Sequence, residues 1–522
     1  MEFNSIQALE KASKLGRAEL FRLGTAILFI ILIMLVISAR MDTVSDGYLL
    51  VVAAMIGGYM AMNIGANDVA NNVGPAVGSQ ALTLTGAILI AAIFEASGAL
   101  IAGGDVVSTI KKGIIDPALI ANSTTFIWVM MAALLAAAVW LNVATAVGAP
   151  VSTTHSIVGG VLGAGIAAAG WDIANWNKVG MIAASWVISP VLGGLIAAAF
   201  LYFIKRNIVY RSDKVAAAKR VVPFLVAIMG WAFSTYLVLK GLKKLWKFDF
   251  ISAGLIGLAV AVVIWLLVRP MVVKASDKLE NNRDGVNRLF TIPLIFAAAL
   301  LSFAHGANDV ANAVGPLAAI NDALLSGGIS TKAEIPLWVM LIGAVGIALG
   351  LMLYGPKLIR TVGSEITELD KMRAFCVAMA AAITVILASQ LGLPVSSTHI
   401  AVGGIFGVGF LREYLESNHA RLLDDIRAHH VDDAPEVVDA FLCEFDAADL
   451  SDKAVMLADL KAKKGPNLYK KERKDLKKVY DKELVKRSML LKIAAAWVVT
   501  VPLAGVLAAL LYFTIRGMLL PY

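Results

Sequence analysis

Charge is scarce in this chain. Only 16% of its 522 residues are Asp, Glu, Lys or Arg, against 59% hydrophobic, a balance that excludes an ordinary soluble domain. Cysteine is nearly absent: Cys376 lies in an apolar run and Cys443 in a charged stretch, so no disulfide framework is implied. There is no Walker-type glycine loop, no metal-ligand spacing and no set of nucleophile, base and orienting residue, which argues against an enzyme acting on phosphorylated or lipid substrates. No cleavable leader is expected either. The first apolar run starts near Phe21, is long enough to span, and lacks a small-residue cleavage site, so it is expected to remain as an anchor. The net charge of +8 comes from basic residues in short stretches between apolar runs. That placement suits a lipid bilayer surface and not a nucleic acid.

What the chain has is long apolar runs. They fall at 21–39, 47–66, 82–104, 123–147, 152–170, 179–204, 221–239, 249–268, 289–305, 336–354, 374–393, 397–411 and 489–513, which predicts an all-α polytopic membrane protein of about 12–13 transmembrane segments. Lys205, Arg206, Arg211, Lys214, Lys219 and Arg220, and then Arg269 to Arg288, share one side with the N-terminus and with the charged stretch after Arg412. The excess of Lys and Arg in cytoplasmic loops makes that side the cytoplasm, with the chain multi-pass in the inner (plasma) membrane. The cluster Lys240, Lys243, Lys244 and Lys247 falls on the other side and breaks the rule.

Two motifs occur twice. Gly65-Ala-Asn-Asp-Val-Ala-Asn-Asn-Val-Gly-Pro75 returns 241 residues later as Gly306 to Pro316, with Ala313 in place of Asn72. Pro150-Val-Ser-Thr-Thr-His155 returns 244 residues later as Pro394-Val-Ser-Ser-Thr-His399. Two motifs in the same order at nearly one spacing indicate duplication. About seven crossings separate the copies of the first motif, and an odd number inverts the second copy. The expected architecture is therefore a pair of inverted structural repeats with broken or re-entrant helices meeting at the midplane. In domain terms, 1–46 is an N-terminal segment with the first membrane helix, 47–204 the first repeat and 205–288 connecting helices. The second repeat is 289–411, a cytoplasmic helical insert follows at 412–488, and 489–522 holds the last membrane helix.

The chemistry concentrates in these motifs. Asp68 and Asp309 end apolar runs, and a membrane-embedded carboxylate needs a compensating cation or a wet path. Asp68 and Asn71 stand three apart, on one helix face, as do Asp309 and Asn312. With Asn67 and Asn308 they form oxygen-rich clusters suited to a hard cation such as sodium; gluing or capping of helices is the plainer alternative. Ser152, Thr153 and Thr154, and likewise Ser396, Ser397 and Thr398, follow a proline and open a glycine-rich helix. A helix N-terminus opening within the membrane offers amide donors and a positive dipole end to an anion. No Lys or Arg lies between Met41 and Ile110 or between Gly113 and Asn177, so an anion beside Asp68 and Asp309 requires co-bound cations. His155 and His399 are candidates for a proton or orienting role, and His305 adjoins the second motif. Glu95 and Asp105 fit a pathway or a packing role equally.

These motifs resemble the signature of the PiT family of inorganic phosphate transporters, over about residues 47–411. The resemblance implies secondary active symport of inorganic phosphate with Na+ or H+ by alternating access, with no resident cofactor and with a homodimer among the expectations. It implies phosphate binding at Asp68, Asn71, Asp309 and Asn312 with Ser152, Thr153, Ser396 and Ser397, and sodium at the cation-binding residues Asn67, Asp68, Asn308 and Asp309. Some relatives carry sulfate, so a sulfate permease is the alternative. Many members place their large hydrophilic loop between the halves, whereas here the insert follows the second half.

Overall fold

The computed structural model describes residues 2–41, 47–147, 149, 151–241, 246, 248–326, 335–365, 369–415, 426, 435–448, 450–461, 468, 472, 476 and 487–519. In chain order the long elements are α1 (Glu2–Met41), α2 (Gly47–Asn67), α3 (Val69–Gly78), α4 (Leu84–Ala102), α5 (Gly104–Lys112), α6 (Ser123–Val147), α7 (Thr153–Ala169) and α8 (Trp176–Ile204). There follow α9 (Lys214–Lys240), α10 (Phe250–Ser276), α11 (Arg283–Leu289), α12 (Thr291–Ser326), α13 (Leu337–Glu365), α14 (Lys371–Gln390) and α15 (Ser397–Leu415). The insert contributes α16 (Pro435–Ala447) and α17 (Leu450–Lys461), and α18 (Arg487–Leu519) ends the chain. Most of the rest of the insert, together with Pro150, Lys243, Lys244 and Lys247, lies outside the described residues.

Among the described residues eleven helices are long and apolar enough to cross a membrane, fewer than the twelve to thirteen expected. The two apolar runs that fall out are the ones that open on the hydroxyl motifs: α7 is a short apolar helix, and α15 carries Arg412 and Glu413 before its end. Both begin in the interior. Ser152 and Thr153 are fully buried, and Ser396 and Ser397 nearly so. The chain is a multi-pass membrane protein turned polar-side in, with Phe21, Leu28, Leu195 and Leu255 more than half exposed while Asn67, Asp68, His305 and Asp309 are buried. Bilayer lipid, not water, is the solvent such faces require.

Helix ends follow local chemistry. Asp213, Asp249, Asn282 and Asp370 cap α9, α10, α11 and α14, each side chain accepting from a backbone N–H two or three residues on. The hairpin of α6 and α7 starts and finishes at one place: Ile115 bridges Ala174, Asp116 N donates to Ile173 O, and Asn175 N donates to Ile114 O. Small residues let backbones touch. A Cβ on Gly65 would lie 1.9 Å from Ile347 O, and one on Gly306 2.1 Å from Glu95 O, so each motif glycine is required for close packing, of α2 on α13 and of α12 on α4. The same exchange recurs where Gly163 of α7 meets Gly505 of α18 and Gly407 of α15 meets Gly194 of α8.

Lys240, one of the residues that break the charge rule, ion-pairs with Asp105 of α5 and is largely buried, so it is no solvated loop cation.

Candidate functional site

The two Asn-Asp motifs and the two hydroxyl motifs meet. Each motif reaches across to the other copy's short helix. Asn71 Nδ2 donates to Thr398 Oγ1 at 2.8 Å, while Asn312 Nδ2 donates to Thr153 Oγ1 at 3.1 Å and Thr154 Oγ1 at 3.2 Å. Thr154 Oγ1 in turn donates to Val395 O at 2.9 Å, just ahead of α15. Asp68 accepts from Thr153 Oγ1 at 2.7 Å and more weakly from Thr398 Oγ1 at 3.5 Å. Ligand atoms of Asp68, His305 and Asp309 all lie within 4.8 Å of one another, and all three residues are buried.

Ser152 and Ser396 cap the short helices. Their hydroxyls accept from His155 N at 3.2 Å and His399 N at 3.3 Å. Asn67 and Asn308 brace the chain entering those helices. Asn67 Nδ2 donates to Thr145 Oγ1 and Ala149 O, and its Oδ1 accepts from Val151 N. Asn308 repeats this with Ser389 Oγ, Leu393 O and Val395 N. Thr145 and Ser389, absent from the sequence-based candidates, are 244 residues apart, so the repeat spacing itself carries the signal for them.

The ring nitrogens of His155 and His399 have no hydrogen-bond partner among the described residues, so neither imidazole serves a backbone carbonyl here. Ring contacts surround them instead: Trp186 is 3.8 Å edge-on to His155, His155 is 4.5 Å edge-on to His399, and His399 stacks on Trp497 at 3.5 Å, between ring centroids.

The symmetry fails at Asp309. His305 Nε2 lies 2.9 Å from Asp309 Oδ2, His305 Nδ1 lies 2.6 Å from Glu95 Oε2, and Asn72 Nδ2 donates to Glu95 Oε1 at 2.8 Å. At the repeat spacing of 241, His305 corresponds to Ile64 and Asn72 to Ala313, and the glycine contacts pair Glu95 with Ile347. One copy therefore carries a polar chain where the other is aliphatic. Glu95 is linked to Asp309 through His305, and no spacing in the sequence announces that contact.

Asp309 Oδ1, Ser397 Oγ and Asn312 Oδ1 are buried without a hydrogen-bond partner among the described residues. A buried group left unmatched costs about 1–3 kcal/mol, and the opposite copy matches the corresponding pair, Asp68 and Thr153, with each other.

The phosphate transporter family model matches residues 64–508, and so includes all four motifs. The chain belongs to that family, the PiT family of phosphate transporters. A Helicobacter pylori protein described as "Putative phosphate permease" is 56% identical over 523 residues, covering 98% of both chains. One from Chlamydia trachomatis with the same description is 41% identical over 401 residues, covering 73% of this chain and 93% of its own. Among solved structures, "The sodium-dependent phosphate transporter" superposes with a TM-score of 0.74 at 33% identity, covering 90% of this chain and all of that one. The family member described here is a secondary transporter of inorganic phosphate and not an enzyme.

Proposed function

We propose that the chain imports inorganic phosphate together with sodium by alternating access around the four paired motifs. One observation carries this reading: the Asn-Asp motif of each copy is hydrogen-bonded to the short helix of the other. A solute held there touches both halves at once, so its binding biases their relative arrangement. Phosphate takes the amide-rich starts of α7 and α15 with Thr153, Thr154, Ser397, Thr398, Asn71 and Asn312. Ser152 and Ser396 hold those starts in shape. Sodium takes the carboxylates of Asp68 and Asp309, with Asn67 and Asn308 fixing the chain beside them. Two carboxylates this close repel each other and repel phosphate, and cations bound between them remove both penalties. Sodium is favoured by the resemblance to a solved transporter described as sodium-dependent.

The reading includes inverted repeats. The swapped packing supports it, with α2 on α13 against α12 on α4, and α7 on α18 against α15 on α8. If the α6–α7 hairpin enters and leaves on one face, as its closed base suggests, the crossings between α2 and α12 remain odd and the copies remain inverted. The N-terminus and the 412–488 insert then lie on the cytoplasmic side of the inner membrane. Titration calorimetry on purified protein tests the charge argument. Phosphate is expected to bind in sodium and to lose measurable affinity when choline replaces it; equal affinity in both contradicts the proposal.

A further inference from the structure

The wall of α1 is built around a cavity that the mechanism above does not use. It has a volume of about 710 Å³ and lies between α1, α2, α6 and α13. The family match begins at residue 64, after α1 has ended. Leu23, Ile27 and Ile30 of α1 form one side. Tyr59, Asn63, Asn142 and Thr145 face them from α2 and α6. Arg22 and Lys357 also line it; Arg22 is bonded to Glu19 at 2.7 Å, and Lys357 Nζ lies 3.4 Å from Ala146 O. Glu19 starts one membrane-crossing stretch and Arg360 ends another, which puts this basic pair near one membrane face.

The inner end of the cavity lies beside the brace of the site. Ala66 and Thr145 line it, and Thr145 Oγ1 accepts from Asn67 Nδ2, the chain neighbour of Asp68. At the corresponding place in the other copy, Phe303, which follows Met62 by 241 residues, is packed by Phe233 at 5.2 Å and Tyr236 at 6.2 Å between centroids. Met62 lines the cavity.

We infer that this cavity is the phosphate route between the site and the membrane face that carries Arg22 and Lys357, with α1 as its lipid-side wall and the basic pair as its anion-selecting mouth. The inference rests on the phosphate-transport reading. A lipid tail is the competing occupant, and the polar row argues against it: Asn63 Nδ2 donates to Tyr59 O, Asn142 Nδ2 to Asn63 Oδ1 and Asn67 Nδ2 to Thr145 Oγ1, yet the amides of Asn63 and Asn142 each keep a second N–H that water or an anion can accept from and hydrocarbon cannot. Glu19 lines the mouth beside Arg22 and Lys357, which leaves one net positive charge there; a dianion approaching through a low-dielectric mouth gains from it, and the gain is screened by salt.

The test replaces the exposed Cys443 by Ser, keeps the buried Cys376, and introduces Asn142→Cys in the cavity or Leu28→Cys on the outer face of α1. In sealed vesicles of each orientation, a membrane-impermeant anionic thiosulfonate is expected to label Asn142→Cys from one face only. Sodium phosphate should slow that labelling, and Leu28→Cys should stay unlabelled. An unreactive Asn142→Cys, or one that only a membrane-permeant maleimide labels, is the lipid-filled outcome and overturns the route. Separately, Arg22→Gln with Lys357→Gln is expected to raise the KM for phosphate about fivefold at low ionic strength, with kcat within about twofold and the effect shrinking in high salt. An unchanged KM in a double variant that still transports overturns the selecting role. Wild-type uptake driven by sodium alongside an inaccessible cavity would sink this inference while leaving the proposed function standing.

Discussion

The two copies of the motif share a backbone and differ in chemistry. In the first, Asp68 is met by Thr153 and Thr398, and its flank at Ile64 is aliphatic. In the second, Asp309 leaves one oxygen unmatched, Ser397 leaves its hydroxyl unmatched, and His305 links the carboxylate to Glu95 and Asn72. The difference teaches that duplication supplied the frame, while the polar chain on one side makes the two carboxylates inequivalent.

The sharpest way to break that comparison is to remove each carboxylate. Asp68→Asn and Asp309→Asn are each expected to reduce phosphate uptake in proteoliposomes to background while the protein still elutes as a folded species. Normal uptake by either variant removes that carboxylate from the mechanism. Next in size is Ser397→Ala. It should weaken phosphate binding by about 1.5–3 kcal/mol, the typical contribution of a hydrogen bond to a charged group, or roughly 10- to 150-fold in affinity. Calorimetry in sodium measures it, and unchanged affinity would mean that the unmatched hydroxyl meets no solute.

The flanking chain sharpens the contrast further. Glu95→Gln is expected to lower uptake about tenfold, a cost of about 1.4 kcal/mol. Ile347→Val, at the corresponding place in the other copy, should change it less than twofold. Equal losses from the two would erase the asymmetry. The smallest effects belong to the caps: Ser152→Ala and Ser396→Ala should each lower thermal stability by about 1 kcal/mol, the usual loss of an N-cap, with phosphate affinity nearly kept. A large affinity loss with stability intact would move those hydroxyls from cap to ligand.

Much of this was legible in the sequence because duplication marks residues twice. Asn67 with Asn308, Asp68 with Asp309, and Ser152 with Ser396 repeat at fixed spacing, and the structure brings both sets to one place. The helix count came out high because apolar length alone does not separate α7 and α15, which start in the interior at Ser152 and Ser396, from helices that cross. Glu95 was ambiguous for a different reason. Its partners lie 23 and 210 residues away on other helices, and a carboxylate without a repeated counterpart carries no local periodicity to place it. The row of ring contacts that sets His155 and His399 between Trp186 and Trp497 was equally hidden, since rings from four helices meet only in the packed fold.

Uptake of labelled phosphate by the purified protein in liposomes bears most directly on the central claim that negative charge moves only in company with cations. With an inward sodium gradient the vesicles should concentrate phosphate above the outside level, and collapsing the gradient should end accumulation. Accumulation that is equal with and without any sodium or proton gradient would contradict the account.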